Sequence, residues 1–239
     1  MITLIKVEVL RILRNKRFLF FTLLYPVVMY LMFVSIWGNN APAPGLSAKT
    51  YFMVSMATFG TVGAALSTAM RISLERKSGW TRQLRLTALP GWGYVTAKIL
   101  ASSAATLLAI LAVFAAGIAE GVSLSATEWI GLVAAIWIGS FVFSALGVAL
   151  GYSAAPDSVQ PVMMVCYMLM AVLGGTWFPL TGTMQSIGQY TPVGLYNQLG
   201  KVIETGSTAQ LSQVVGLAGY LVAFAALAAW LYQRDRKAA

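Results

Sequence analysis

The groups able to do acid–base, nucleophilic or metal chemistry in this sequence are few and poorly placed for it. His is absent, so no imidazole can act as base, proton shuttle or metal ligand. Cys166 stands alone among apolar neighbours and reads as a packing position, and any disulfide would have to be intermolecular. Glu120 and Asp157 fall at the ends of apolar runs, which leaves no paired carboxylates for hydrolysis or coupled proton transfer. A phosphate loop needs G-x-x-x-x-G-K-S/T. Gly200-Lys201 is followed instead by Val202, and Gly194 lies one residue too far upstream. No cofactor or metal is therefore expected on this chain. What remains is binding chemistry, and it is concentrated in Ser73–Gly91, "SLERKSGWTRQLRLTALPG". There Glu75, Arg76, Lys77, Arg82 and Arg85 interleave with Leu74, Trp80, Leu84, Leu86 and Leu89, and Pro90-Gly91 stops a short helix that sets Trp80 and Leu84 one turn apart. Ion-pairing groups around an aromatic anchor suit a protein docking surface. A solvated basic loop with no further role is the plainer alternative.

The elements that position this loop follow from composition. Of 239 residues, 59% are hydrophobic and 10% charged, with a mean hydropathy of +0.77; a soluble domain carries about 25% charged residues. An ordinary soluble enzyme, a disordered tail and a disulfide scaffold are thereby excluded. Six apolar runs reach the roughly 20 residues that cross a bilayer: Phe18–Trp37, Tyr51–Arg71, Tyr94–Ile118, Trp129–Gly151, Val159–Trp177 and Leu211–Tyr232. With the N-terminus cytoplasmic, the inner segments hold fourteen of the 16 Lys and Arg residues, and only Lys49 and Lys201 lie outside. That asymmetry predicts both termini on the cytoplasmic side. It also accounts for the net charge of +9 by topology and anionic-lipid contact rather than nucleic-acid binding. Trp37, Trp129 and Trp177 then mark outer interfaces, and Trp92, Tyr94, Trp230 and Tyr232 inner ones. Ala41-Pro42-Ala43 follows the first run, but that run is longer than a signal peptide's core, so an uncleaved helix is expected.

Three segments do not span. Residues 1–17 form an expected interfacial helix, with Ile2, Ile5, Val9, Ile12 and Leu13 on one arc and Glu8, Arg11, Arg14 and Arg17 opposite. Residues 73–91 form the basic loop. Residues 179–210 mix Gly, Pro, Thr and apolar side chains, which suggests two short helices broken near Thr191-Pro192 and dipping into the bilayer. They would act as an outer gate, or else lie on the headgroups. Gly147-Val-Ala-Leu-Gly151, continued upstream by Ser140 and Ser144, has small-residue spacing for close helix packing. Met163, Met164, Met168 and Met170 around Tyr167 form either an adaptable apolar surface or ordinary packing. With no repeat and no room for a soluble domain, residues 1–239 make one transmembrane domain.

Taken in order, these segments resemble the membrane (permease) subunits of type-2 family ABC exporters, which move drugs, lipids and polysaccharides outward. "LRNKRFLFFTLLYPVVMYLMF", with Tyr25-Pro26, begins the likeness; "ERKSGWTRQLRLTALP" continues it, and "GGTWFPLTGTMQSIGQYTPVGLY" ends it. Trp80 after Gly79 departs from the family, which more often has a small hydroxyl residue there. The resemblance implies an all-α membrane protein with six transmembrane helices, an N-terminal interfacial helix, a cytoplasmic coupling helix and short outer re-entrant helices. It implies a cytoplasmic ABC ATPase dimer that binds ATP and Mg²⁺, and a second copy of this chain or a related permease. The coupling helix would use Glu75, Arg76, Gly79, Trp80, Arg82 and Leu84. Glu75 and Arg82 would make charged contacts, and Trp80 and Leu84 would fill an apolar cleft. A substrate path at the subunit boundary would draw on Tyr25, Met29, Phe33, Phe59, Met163, Tyr167 and Met170. Phe178, Pro179 and Pro192 would belong to the outer gate. The expected function is export of an amphiphilic drug-like or lipid-like molecule, such as multidrug or antibiotic efflux, at a bacterial plasma membrane. A non-transporting anchor or assembly protein that recruits a cytoplasmic partner is the rival, and a lipid-modifying membrane enzyme a weaker one.

Overall fold

In chain order the elements are α1 (Ile2–Arg14), α2 (Lys16–Leu19), a π-helical turn (Phe20–Leu24), α3 (Tyr25–Trp37), α4 (Ala48–Lys77), α5 (Trp80–Arg85) and α6 (Gly91–Ala119). They continue with α7 (Ala126–Gly139), α8 (Phe141–Ser153), α9 (Pro156–Leu173), α10 (Gly182–Gly188), α11 (Pro192–Glu204) and α12 (Leu211–Ala238). This computed structural model describes residues 2–37, 47–86, 91–204 and 210–238. Among the described residues, six stretches are long and apolar enough to span a membrane: Phe20–Trp37, Ala48–Lys77, Gly93–Ala119, Ala126–Ser153, Pro156–Leu173 and Leu211–Arg236. They coincide with the six apolar runs of the sequence. The protein is an all-α, multi-pass membrane protein.

α4 is the axis of the bundle, with 89% of its most apolar window buried. Ser55, Thr58, Thr61, Ala65 and Ala69 have side chains short enough for neighbouring helices to approach on all sides, and all are buried. α8 comes closest. A Cβ at Gly147 would lie 2.7 Å from the Ala65 carbonyl oxygen, and one at Gly151 would lie 3.0 Å from that of Ala69. The small-residue spacing of α8 therefore serves a contact inside this chain.

Helices α4 and α1 each depart from the sequence expectation. α4 does not stop at Arg71 but runs on to Lys77, because Leu74, Glu75, Arg76 and Lys77 are good helix formers and nothing breaks the helix before Gly79. Part of the expected loop is thus a rigid extension of the second span. In α1, Glu8 does not join the polar face: it is 2% exposed beside Ile12, whereas Ile2 is 83% exposed. Lys98 on α6 draws the Glu8 carboxylate inward at 2.8 Å, and Ile12 settles among Ala64, Ala101 and Ala105.

Prolines punctuate the remainder. Pro26 has no N–H and its ring crowds the preceding turn, and the backbone widens there into the π turn. Its ring fits a notch at Gly60, where a Cβ would come 2.8 Å from Pro26 Cγ. Pro192 opens α11, and the Thr191 Oγ1 caps it by accepting the Gly194 N–H at 3.0 Å. The two short helices broken at Thr191-Pro192 are α10 and α11. α11 is built into the bundle: Val193, Leu195, Tyr196 and Asn197 are buried, and the Tyr196 hydroxyl donates to the Ile136 carbonyl at 2.5 Å.

Candidate functional site

At the end of the bundle where Arg11, Arg71, Arg76, Lys77 and Lys98 gather (the basic end), two consecutive residues of α4 tie together opposite sides of the molecule. Glu75 faces α1 and α6. Its Oε1 accepts from Lys98 Nζ at 2.6 Å and from Arg11 Nη1 at 3.0 Å, and its Oε2 accepts from the Tyr94 hydroxyl at 2.6 Å. Lys98 Nζ also lies 2.8 Å from Glu8 Oε2, and Arg11 Nη1 lies 3.6 Å from Glu8 Oε1. Two carboxylates thus meet two cations, with the Lys98 and Glu8 side chains each 2% exposed. Such a cluster adds little net stability as a whole, but loss of one member leaves a buried charge unmatched at a cost of about 3–5 kcal/mol.

Arg76 faces α8 and α12. Its Nε and Nη2 donate to Asp235 Oδ1 at 3.0 and 2.5 Å, and its Nη1 donates to the Gly151 carbonyl at 3.0 Å. The guanidinium carbon lies 5.4 Å from the centroid of the Tyr152 ring. Lys77 reaches Asp157 at 3.2 Å, but both groups are largely exposed and an exposed pair of this kind contributes little. Helix α4 ends when the Gly79 N–H donates to the Arg76 carbonyl at 3.2 Å. Gly79 itself takes φ 73°, a left-handed conformation that only Gly adopts without strain. This turn re-aims the chain into α5, whose first residue, Trp80, is 37% exposed.

Of the six candidate docking residues, Glu75 and Arg76 therefore spend their side chains inside the protein, Gly79 shapes the turn, and Trp80 is presented. The side chains of Arg82 and Leu84 lie outside the described residues. Sequence reasoning gives no site role to Lys98, Tyr94, Asp235 or Glu8. A Lys within an otherwise apolar span is the available signal, because such a charge is retained only with a partner.

A second feature opens sideways. Between the π turn with α3 on one side and α9 on the other lies a groove of about 560 Å³ whose floor is α4 at Gly60, Gly63 and Ser67. Three of the candidate path residues, Tyr25, Met163 and Tyr167, line it. Phe59 backs it, with its ring stacked on Tyr167 at 4.5 Å and tilted against Tyr25 at 6.0 Å. The Tyr167 hydroxyl donates to the Phe59 carbonyl at 3.0 Å. A Cβ at Gly63 would lie 2.7 Å from that hydroxyl oxygen, so the absence of a side chain at Gly63 is what lets α9 carry Tyr167 onto α4. Phe33 is buried further along, stacked on Phe52 at 5.0 Å and meeting the edge of Phe178 at 6.1 Å. Met29 and Met170 pack half-buried on the core and do not line the groove.

At the opposite end, Phe178 is exposed, while Pro179 and Pro192 are half-buried. The buried Asn197 of α11 holds the turn after α9, with Nδ2 donating to the carbonyls of Gly174 and Gly175 at 3.2 Å each. Ser55 of α4 donates to its Oδ1 at 3.4 Å. Asn197 carries no recognisable motif, and its role depends on three elements distant in sequence.

Comparison with known proteins gives two matches. A family model described as ABC-2 family transporter protein matches residues 41–232. Over 235 residues the chain is 30% identical to "Putative transport permease YvfS" of Bacillus subtilis (strain 168), a match that spans 95% of each chain.

Proposed function

This chain belongs to the ABC-2 transporter family, and we propose that it is the permease subunit of an ATP-driven exporter that carries an amphiphilic, drug-like or lipid-like molecule outward across a bacterial plasma membrane. The basic end faces the cytoplasm, with both termini there, in accord with the Lys and Arg asymmetry. A cytoplasmic ATPase dimer supplies ATP and Mg²⁺ and seats on Trp80 and α5, with Arg82 and Leu84 in the same helix. Glu75 and Arg76 hold the base of this platform. A second copy of this chain, or a related permease, completes the transporter. Tyr25, Phe59, Met163 and Tyr167 form the start of the substrate path, with Met29, Phe33 and Met170 deeper along it. Phe178, Pro179 and Pro192 belong to the outer gate.

One observation carries this reading: the base of the platform and the groove floor are the same rigid helix. α4 runs unbroken from Ala48 to Lys77, so force passed from Trp80 through the Gly79 turn to Lys77 reaches Gly63 along about 21 Å of helix, at roughly 1.5 Å per residue. Its ion-paired end resists bending, and a push there moves the floor of the groove against α9.

The test is reconstitution of the chain with its ATPase in vesicles. Trp80→Ala should abolish ATP-coupled export while the protein still inserts and binds its second subunit. Met163→Trp, which fills the groove, should block export with ATP hydrolysis retained. Full export from both variants would overturn the Trp80 docking and the groove path, and a parent chain that exports nothing with its ATPase would leave only a membrane anchor that recruits a partner.

A further inference from the structure

Arg71 stands at the basic end of the groove with a charge that its surroundings do not match. It lies one helical turn beyond Ser67, continuing the floor of α4 formed by Gly60, Gly63 and Ser67. Its guanidinium carbon sits 4.6 Å from the centroid of the Phe18 ring, and Phe18 forms part of the groove wall. The carboxylates whose fields reach Arg71 are Glu8 and Glu75, and these are matched by Lys98 and Arg11 in direct ion pairs. Among the described residues Arg71 has neither a hydrogen bond nor an ion pair of its own; its close contact is the Phe18 ring. A half-buried guanidinium at the edge of a hydrocarbon layer calls for an anion.

We propose that the groove is a binding site for an anionic glycerophospholipid. An acyl chain lies along Phe21, Tyr25 and Met164, and the phosphate rests on Arg71 with the Gln160 amide as second donor. The volume suits a small amphiphile. In a bilayer an acyl chain gains nothing from leaving water, since the surrounding lipid is as apolar as the groove. Selectivity must therefore come from the headgroup. A guanidinium recognises phosphate through paired N–H donors, and a lipid with net negative charge satisfies Arg71 where a zwitterionic one brings its own cation. The site requires neither ATP nor a partner ATPase, so it stands or falls apart from the export reading.

Native mass spectrometry of the full chain, released from neutral detergent with equal amounts of phosphatidylglycerol and phosphatidylcholine of identical chains, tests this. One charge-assisted contact should give retention of phosphatidylglycerol over phosphatidylcholine by about tenfold. Arg71→Gln should bring the two lipids close to parity, and Arg71→Lys should keep part of the preference, which guards against a folding artefact. Lys16→Gln, which removes a neighbouring exposed charge, should leave the preference intact, and Met164→Trp should reduce retention of both lipids. A preference that survives Arg71→Gln overturns the site. Equal loss in Lys16→Gln and Arg71→Gln overturns it in favour of a diffuse basic surface, and lipid-free dimers show instead that a second copy covers the groove.

Discussion

Arg76 and Asp235, 159 positions apart in the chain, meet through two N–H donors on a single carboxylate oxygen, Nε at 3.0 Å and Nη2 at 2.5 Å. Their side chains are 25% and 19% exposed, so solvent screens the pair only in part. The contact fastens the last turns of α12 to the end of α4, while the adjacent Glu75 fastens α1 and α6 to the same turn. The basic end is consequently braced from both sides, and α5 leaves it through the two-residue turn Ser78-Gly79.

Cutting that brace should be measurable as coupling. Arg76→Gln and Asp235→Asn should each lower stability by about 1.5–3 kcal/mol, the range of a hydrogen bond to a charged group. The double variant should cost little more than either single change, as shared partners require. Thermal unfolding of the purified chain in one detergent checks this, and additive losses would mean that the two residues act independently.

Lys98→Met should be the most damaging single change at the basic end. It leaves Glu8 and Glu75 to share the one remaining cation, the half-exposed Arg11, at a cost of about 3–5 kcal/mol. Adding Glu8→Gln should recover part of that loss by removing one of the two carboxylate charges. Unfolding midpoints of the three proteins decide the matter, and a double variant less stable than Lys98→Met would refute the pairing.

These two clusters also mark where the sequence stops being informative. The six spans are legible because each is a long apolar run, and span count needs no knowledge of what touches what. The orientation of α1 is not legible, because helical periodicity alone puts Glu8 on a polar face. Its inward turn depends on Lys98, ninety residues later. The chemistry of the groove is readable by residue type, as Tyr25, Met163 and Tyr167 show. Rotation about the helix axis, which packs Met170 and Met29 half-buried on the core beyond the groove, is set by packing against Gly60 and Gly63. Glu75 and Arg76 are recognisable as charged contact residues, yet the partners they meet lie within their own chain.

Packing of α8 on α4 separates two glycines of similar appearance. Gly147→Ala places a Cβ 2.7 Å from the Ala65 carbonyl oxygen, a backbone atom that cannot swing aside, and should destabilise by about 1–3 kcal/mol. Gly219→Ala on α12 meets nothing within 4 Å and should stabilise its helix by up to about 1 kcal/mol. Opposite shifts in unfolding midpoint are expected, and equal shifts would show that the α4–α8 approach is looser than the structure has it.

Gly79 offers the sharpest separation of coupling from stability. Its φ of 73° lies where a Cβ costs roughly 1–2 kcal/mol, yet a Cβ there would touch nothing within 4 Å. The penalty is therefore conformational and can be relieved by changing the direction in which α5 leaves α4. Gly79→Ala should insert into membranes and unfold within a few degrees of the parent, because the braces at Glu75 and Arg76 are untouched. Trp80 should then be displaced, and stimulation of ATP hydrolysis in the reconstituted complex should fall severalfold. Gly79→Asn should keep more of that stimulation, because Asn tolerates the left-handed region better than Ala. The comparison of the two variants at matched expression is the measurement. If both stimulate as well as the parent, the direction of α5 is irrelevant to coupling, and docking must rest on residues outside the Trp80 platform.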